Sequence, residues 1–337
     1  MKKILTFFIF GATGLAAFCL SLSCSTNTPT AASNFQNPVK TIVAINPPFT
    51  STFTLTVTET FTPTLTNTPT ATPTPFVTVT WTGFNSPAAI AADGQGFIYV
   101  ADTGNNRVGK FTSNGAPVVN WGTGGIKGKI SVPNPVGLAV DGNGSLFVAS
   151  NGNVLKYDSN GNNPSSVGAF TFTSPKGVAA QGTTIFVSDT GRLVAFTSSG
   201  SVVSSFGVAG SVTLSGLTLM GVAADSSDNV AVACSDNQVR VFNSAGVLTN
   251  TLPGLSDPTP GFSNPNGVAF DSAGNLWVAD TGDKQVEEFG QGNFNQVPLV
   301  IFNNGNLMVS PKGIAVDSSA NVYVVDSAAN EVFKFLP

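Results

Sequence analysis

A short pattern recurs six times between residue 86 and the carboxyl end, and it constrains the fold more than any other feature. In its clearest copy, Pro265-Asn266-Gly267-Val268-Ala269-Phe270-Asp271 precedes a turn and the run Leu276-Trp277-Val278-Ala279-Asp280. The turn contains Asp271 and Gly274, residues typical of hairpin turns between two short strands. The motif glycine falls at 137, 177, 221, 267 and 313, with Ala89 in its place in the first copy. Steps of 48, 40, 44, 46 and 46 residues between these positions approach the length of one four-stranded propeller blade.

The copies also resemble a known repeat family. The Pro-x-Gly start, the acidic end of the second strand and the tail Asp102-Thr103-Gly104-Asn105-Asn106-Arg107-Val108-Gly109-Lys110-Phe111 are similar to the NHL repeat. The resemblance covers roughly residues 76–337. It implies an all-β fold, a six-bladed β-propeller of four-stranded antiparallel blades. It implies little about function, because one fold carries many functions.

The last copy ends after its third strand, at Val332-Phe333-Lys334-Phe335, so its blade lacks a fourth strand. Residues 76–82 stand alone before the first copy and resemble the fourth strands of other copies. A three-stranded last blade would leave an edge with unpaired amides. We therefore predict that the strand at 76–82 completes the sixth blade and closes the ring.

The amino terminus has the pattern of an export signal. Lys2 and Lys3 precede an apolar run, and small residues lead to Cys24. The segment resembles a bacterial lipoprotein signal, although Ser21 stands where leucine is usual. We expect residues 1–23 to be a signal peptide and Cys24 to be lipidated, with an ordinary secretory signal as the alternative. No disulfide is expected, because Cys19 would leave with the signal and Cys234 has no partner.

Residues 24–75 contain no copy of the repeat. Threonine occupies every even position from Thr52 to Thr74, and the odd positions change from apolar residues to proline. Proline removes backbone donors and favours an extended polyproline conformation. We expect a disordered Thr/Pro-rich stalk that joins the lipid anchor to the propeller at 76–337, and its composition also permits glycosylation.

Composition excludes several classes of function. The formal charge of −4 gives no basic surface for nucleic acid, and the propeller is expected to meet the membrane through the lipid anchor only. The sequence contains no histidine, the commonest general base and zinc ligand. Histidine-dependent lyases built on related propellers therefore fit poorly, and no cofactor or metal is expected.

The resemblance implies that the first strand of each blade lines the central channel. The residue between proline and glycine would then ring the channel mouth. We take the following as candidate ligand-binding residues: Lys176, Met220, Asn266 and Lys312 at the mouth, with Asp102, Asp189, Asp280 and Asp326 at the ends of second strands. The alternative for the four aspartates is structural, because an acid that recurs with every blade suits hydrogen bonds to loop amides.

These observations favour an exported, envelope-anchored protein, located at the outer membrane or cell surface, whose propeller binds a protein or glycan through its top face without catalysis. We expect it to be monomeric. The alternative is a metal-dependent hydrolase or lyase of the lactonase-like type, with Asp and Asn ligands in the channel. Enzymes of that type place a glutamate on the axis, whereas glutamate here occurs only at 59, 287, 288 and 331.

Overall fold

The structure, a computed structural model, describes residues 77–122, 128–167, 170–252, 261–292, 294, 298–302 and 307–336. The predicted signal peptide, Cys24 and the predicted stalk lie outside these residues. The regular secondary structure of the described part is β-strand, apart from one 3-10 turn at Thr103–Asn105. None of its residues belongs to a helix long and apolar enough to cross a membrane.

The strands form six four-stranded antiparallel sheets, which we number as blades 1 to 6. Blade 1 contains β2 (Ala89–Ala92), β3 (Ile98–Asp102), β4 (Arg107–Phe111) and β5 (Lys129–Ser131). Blade 2 contains β6 (Pro135–Val140), β7 (Leu146–Ser150), β8 (Asn153–Tyr157) and β9 (Ser165–Ser166). Blade 3 contains β10 (Gly177–Gln181), β11 (Thr184–Asp189), β12 (Arg192–Thr197) and β13 (Ser211–Thr213). Blade 4 contains β14 (Leu219–Ala224), β15 (Val230–Cys234), β16 (Gln238–Phe242) and β17 (Leu248–Leu252). Blade 5 contains β18 (Pro265–Phe270), β19 (Leu276–Asp280), β20 (Gln285–Phe289) and β21 (Val300–Phe302). Blade 6 contains β22 (Pro311–Val316), β23 (Val322–Asp326), β24 (Glu331–Phe335) and β1 (Val77–Trp81).

The first strands of the six blades form a closed inner ring. β2 contacts β6, and contacts continue through β10, β14, β18 and β22 back to β2. The predicted six-bladed propeller is therefore confirmed.

The predicted closure of the last blade is confirmed as well. β1 pairs antiparallel with β24, and Trp81 lies opposite Val332. The buried Trp81 ring packs 5.8 Å from Phe111 of blade 1 and 5.7 Å from Tyr323 of blade 6, measured between ring centroids. The strand therefore pairs with the open edge of blade 6, and its tryptophan packs in the interface between the first and last blades.

The second strand of each blade is buried on both faces. Every residue of β3, β7, β15, β19 and β23 is buried, because each blade is covered by a neighbour on either side. This explains why these strands are almost continuously apolar rather than alternating. The hydrophobic core is accordingly divided among the interfaces between blades, and no single blade can bury its own apolar surface.

The turn between the first and second strands follows the sequence prediction. Asp271 Oδ1 accepts hydrogen bonds from the amides of Ala273 and Asn275, each at 2.9 Å. Gly274 has φ of +84°, which favours glycine. The same Asp turn recurs in four further blades, at Asp93, Asp141, Asp225 and Asp317.

One of these turns carries a buried carboxylate oxygen without a partner. Asp141 is 5% exposed, and its Oδ2 lacks any hydrogen bond. At the equivalent atom in blade 6, the side-chain amide of Asn321 donates to Asp317 Oδ2 at 2.7 Å. Blade 2 has Ser145 in that position, and serine is too short to replace the amide.

Replacing Ser145 with asparagine is therefore expected to stabilise the protein. A new hydrogen bond to a charged acceptor contributes about 1.5–3 kcal/mol, and the Asn321 arrangement in blade 6 is the geometric precedent. Chemical denaturation measures the effect. The Ser145→Ala variant is the matched control and should not gain stability. Equal stability of the Asn and Ala variants would contradict the prediction.

Candidate ligand site at the channel mouth

The inner ring of strands encloses a cavity of about 310 Å³. Every blade contributes three consecutive residues to its lining, namely 88–90, 136–138, 176–178, 220–222, 266–268 and 312–314. These are the residue after the motif proline (after Leu219 in blade 4), the motif glycine or Ala89, and the apolar residue that follows. The predicted mouth residues Lys176, Met220, Asn266 and Lys312 therefore do meet around one cavity.

In blades 4, 5 and 6 a break in strand pairing coincides with the mouth residue. In blade 5 the register between β18 and β19 shifts between Pro265 and Val268, so Asn266 and Gly267 lie in a bulge. The same shift occurs between Leu219 and Val222 in blade 4 and between Pro311 and Ile314 in blade 6. Bulges redirect side chains out of the regular alternation.

Further along the inner strands, apolar side chains line the cavity. The third lining residue of every blade is aliphatic and only 5–6% exposed: Ile90, Leu138, Val178, Val222, Val268 and Ile314. A ligand in this cavity therefore has polar partners at the mouth and apolar partners beneath. We call these six side chains the apolar floor.

The mouth carries positive charge and no negative charge among the described residues that line it. Lys176 is exposed, whereas Lys312, Met220 and Asn266 are half-buried. The side chains of Lys176 and Lys312 belong to blades 3 and 6, so two blades separate them in either direction around the ring. The two ammonium groups therefore belong to opposite sides of the channel.

The four candidate aspartates lie elsewhere, and the structure separates them from the mouth residues. All four are fully or almost fully buried, and none lines the cavity. Each accepts hydrogen bonds from amides of the loop that precedes the first strand of its own blade. The amide-to-carboxylate distances are 2.7 Å from Asn85 N to Asp102, 2.7 Å from Ser174 N to Asp189, 3.0 Å from Ser263 N to Asp280 and 2.6 Å from Val309 N to Asp326. The four aspartates therefore have the structural role that the sequence analysis gave as the alternative, which is to hold loop amides by hydrogen bonds.

Two of these carboxylates have an arginine beside them and two do not. Arg107 lies 2.6 Å from Asp102, and Arg192 lies 3.0 Å from Asp189. Burial alone would raise the pKa of Asp189, but the loop amides and Arg192 outweigh it and hold the pKa below the usual range. At Asp280, burial and the nearby carboxylate of Asp283 outweigh the loop amides and raise the pKa to about 6.

This difference predicts a pH-dependent contribution to stability from Asp280. Its pKa rises from 3.8 to about 6 on folding, so the folded state binds the proton more tightly. The associated stability, about 3 kcal/mol, is fully present below pH 3.8 and is lost as the pH rises through 6. Urea unfolding of the wild-type protein and Asp280→Asn should show their difference changing between pH 4.5 and 7.5. Asp189→Asn, at a site of lowered pKa, should not reproduce this change, and a constant difference for Asp280→Asn would contradict the prediction.

Sequence reasoning missed a second set of residues, which fix the mouth from the neighbouring blade. Ser188 Oγ accepts from the Gly177 amide at 2.8 Å and donates to the carbonyl of Met220 in blade 4. Thr103 Oγ1 donates to the carbonyl of Pro135 at 2.7 Å, and Thr281 Oγ1 donates to that of Pro311 at 2.6 Å. The threonine after the acidic end of the second strand was the available signal, but its partner lies in the next blade.

No group of three or more acidic, cysteine or histidine side chains that would suit a metal ion occurs among the described residues. Among the described residues that line the cavity, Asn266 contributes the single side-chain oxygen. Divalent cations prefer several oxygens that converge on one point.

Comparisons with known proteins agree with the repeat and the fold. The NHL repeat model matches residues 84–111 and 262–289, so the chain carries NHL repeats in blades 1 and 5. No curated protein matches the sequence.

Several solved structures share the fold at low sequence identity. A streptogramin B lyase is 14% identical, with a TM-score of 0.53, over 76% of this chain and 97% of its own. A selenomethionine-substituted virginiamycin B lyase from Staphylococcus aureus is 12% identical, with a TM-score of 0.54, over 76% and 84%. A catalytically inactive variant of virginiamycin B lyase from the same organism, solved with quinupristin, is 13% identical, with a TM-score of 0.52, over 74% and 80%. At this identity the likeness concerns the fold alone.

Proposed function

We propose that this NHL-repeat propeller is a non-catalytic binding module of the cell envelope that holds a protein or glycan at its channel mouth. In this proposal residues 1–23 direct export, Cys24 carries a lipid anchor and residues 24–75 hold the propeller away from the membrane. The anchoring half rests on the sequence pattern. Labelling cells with radioactive palmitate tests it: Cys24→Ser is expected to abolish the label, and label retained by the variant would contradict lipidation.

One observation carries the binding half of the proposal. Residues that the fold requires repeat from blade to blade, as the turn aspartates and the motif glycines show. The position that faces the cavity varies instead: Ala88, Val136, Lys176, Met220, Asn266 and Lys312. Six equivalent backbone positions thus present an asymmetric set of side chains to one cavity. An asymmetric ligand needs such a surface, whereas the packing of a symmetric ring does not.

The chemistry of the described mouth residues supports binding over the metal-dependent hydrolase or lyase. The lining offers two ammonium groups, one amide and a thioether above an apolar floor. Metal-assisted hydrolysis needs a bound cation that lowers the pKa of water, and cations need oxygen ligands. The four candidate carboxylates at the ends of the second strands do not line the cavity, and each already accepts hydrogen bonds from loop amides.

The test compares capture of envelope components by the full chain and by charge-reversal variants. The double variant Lys176→Glu/Lys312→Glu is expected to lose partners that the wild-type chain retains. Lys284→Glu is the matched control, because Lys284 is exposed and lies outside the cavity lining. Equal recovery by wild type and the double variant would contradict binding at the mouth.

A further inference from the structure

We propose that the channel mouth recognises an acidic protein segment, in which two carboxylates flank an apolar side chain. This inference rests on the proposed function and names its ligand class. One carboxylate would pair with Lys176 and the other with Lys312, while the apolar side chain between them would point towards the apolar floor. The ligand would be a loop or chain end of a partner protein.

The first step is the position of the two lysines. They occupy the same place in the repeat, three blades apart in a ring of six, and they line the same cavity. A single carboxylate that approached one lysine would leave the opposite lysine unpaired. Two separated negative groups match two separated positive groups better than one compact anion does.

The second step is that neither charge is compensated within the described residues. The ion pairs there are Arg107–Asp102, Lys110–Asp93, Arg192–Asp189 and Arg240–Asp236. Neither Lys176 nor Lys312 takes part in them, and no acidic residue lines the cavity. Two like charges that share a partly enclosed cavity repel each other, and an anionic ligand removes that repulsion.

The third step distinguishes a peptide from an acidic glycan. Three of the six mouth positions, Ala88, Val136 and Met220, are apolar, and the floor beneath is entirely aliphatic. Sugar hydroxyls placed against such a floor would lose water without gaining hydrogen bonds, which is costly. A leucine or valine side chain gains free energy from the same burial. The cavity of about 310 Å³ is also at the small end of ligand pockets, which suits one side chain and its neighbours.

The experiment measures binding of a fluorescent, end-capped five-residue peptide, with two acidic residues around a central leucine, to the full chain in detergent. We expect saturable binding that weakens as salt rises, because charged contacts are screened. Lys176→Gln and Lys312→Gln should each weaken binding by about tenfold or more, as expected for losing one charged hydrogen bond. Lys284→Gln should bind like wild type, and melting curves confirm that the variants are folded.

Two further probes make the result decisive. A peptide with amides in place of the acids should bind at least about tenfold more weakly, and so should one with glycine in place of leucine. An oligosaccharide of uronic acids tests the alternative ligand. If it binds through the lysines and the peptide does not, the inference is overturned while the proposed function stands. Loss of lysine-dependent envelope capture together with loss of peptide binding would overturn both.

Discussion

Deletion of residues 76–82 is expected to lower the melting temperature by about 10 °C or more and to broaden the transition. The deletion removes β1, so the β24 edge loses its partner. It also removes Trp81, whose buried ring joins Phe111 and Tyr323 across the blade 6 and blade 1 interface. Loss of one such buried aromatic side chain costs about 3–5 kcal/mol before the lost strand pairing is counted.

Scanning calorimetry of the full chain and the deletion variant measures this effect. The matched control removes seven residues from 63–69, within the predicted stalk, and should melt like the wild-type protein. The Trp81→Ala variant separates the two contributions, because it keeps the strand and removes the ring. A melting temperature of the 76–82 deletion within one degree of wild type would show that closure through β1 does not hold the ring together.

The features that sequence predicted well are those that repeat. The blade number, the strand that completes blade 6 and the Asp271 turn follow from patterns of a few adjacent residues, which local backbone preferences and edge pairing decide. The mouth residues could be placed for the same reason, because Lys176 and Lys312 occupy one fixed position of the repeat. Because the pattern repeats, the place of a residue in one blade predicts the place of the equivalent residue in the other five.

The features that sequence did not predict depend on contacts between blades. The sequence around Ser188 does not indicate that its hydroxyl donates a hydrogen bond to the carbonyl of Met220, 32 residues away in the next blade. The raised pKa of Asp280 and the lowered pKa of Asp189 likewise depend on the groups that the fold places around each carboxylate: burial dominates at Asp280, whereas at Asp189 several loop amides and Arg192 outweigh it. The sequence pattern shows the same aspartate in both places, and only the three-dimensional surroundings distinguish them.

Replacing Gly267 with alanine is expected to be the most damaging single-methyl change at the channel mouth. The new Cβ would lie 2.1 Å from the carbonyl oxygen of Lys312 and 3.0 Å from the amide nitrogen of Ile314. Both are backbone atoms of the adjacent inner strand, so neither can rotate away as a side chain would. Overpacking of this kind costs about 1–3 kcal/mol, and a backbone clash lies at the upper end. The melting temperature should fall by about 6–12 °C.

Gly94→Ala is the matched control, because no atom lies within 4 Å of the Cβ it would add. It should melt at or slightly above the wild-type temperature. If both alanine variants melt alike, the close approach of the inner strands does not limit stability.

The change at Gly267 also bears on binding, because the clashing carbonyl belongs to Lys312, one of the two mouth lysines. A displaced β22 would move this ammonium group, so Gly267→Ala should weaken peptide binding as well as stability. Ala89 occupies the equivalent position in blade 1, so the ring already accommodates one methyl group there. At the other four motif glycines an added Cβ would lie 2.3–2.8 Å from a backbone atom of the next blade, so five blades share the need for glycine and Gly267 has the tightest contact.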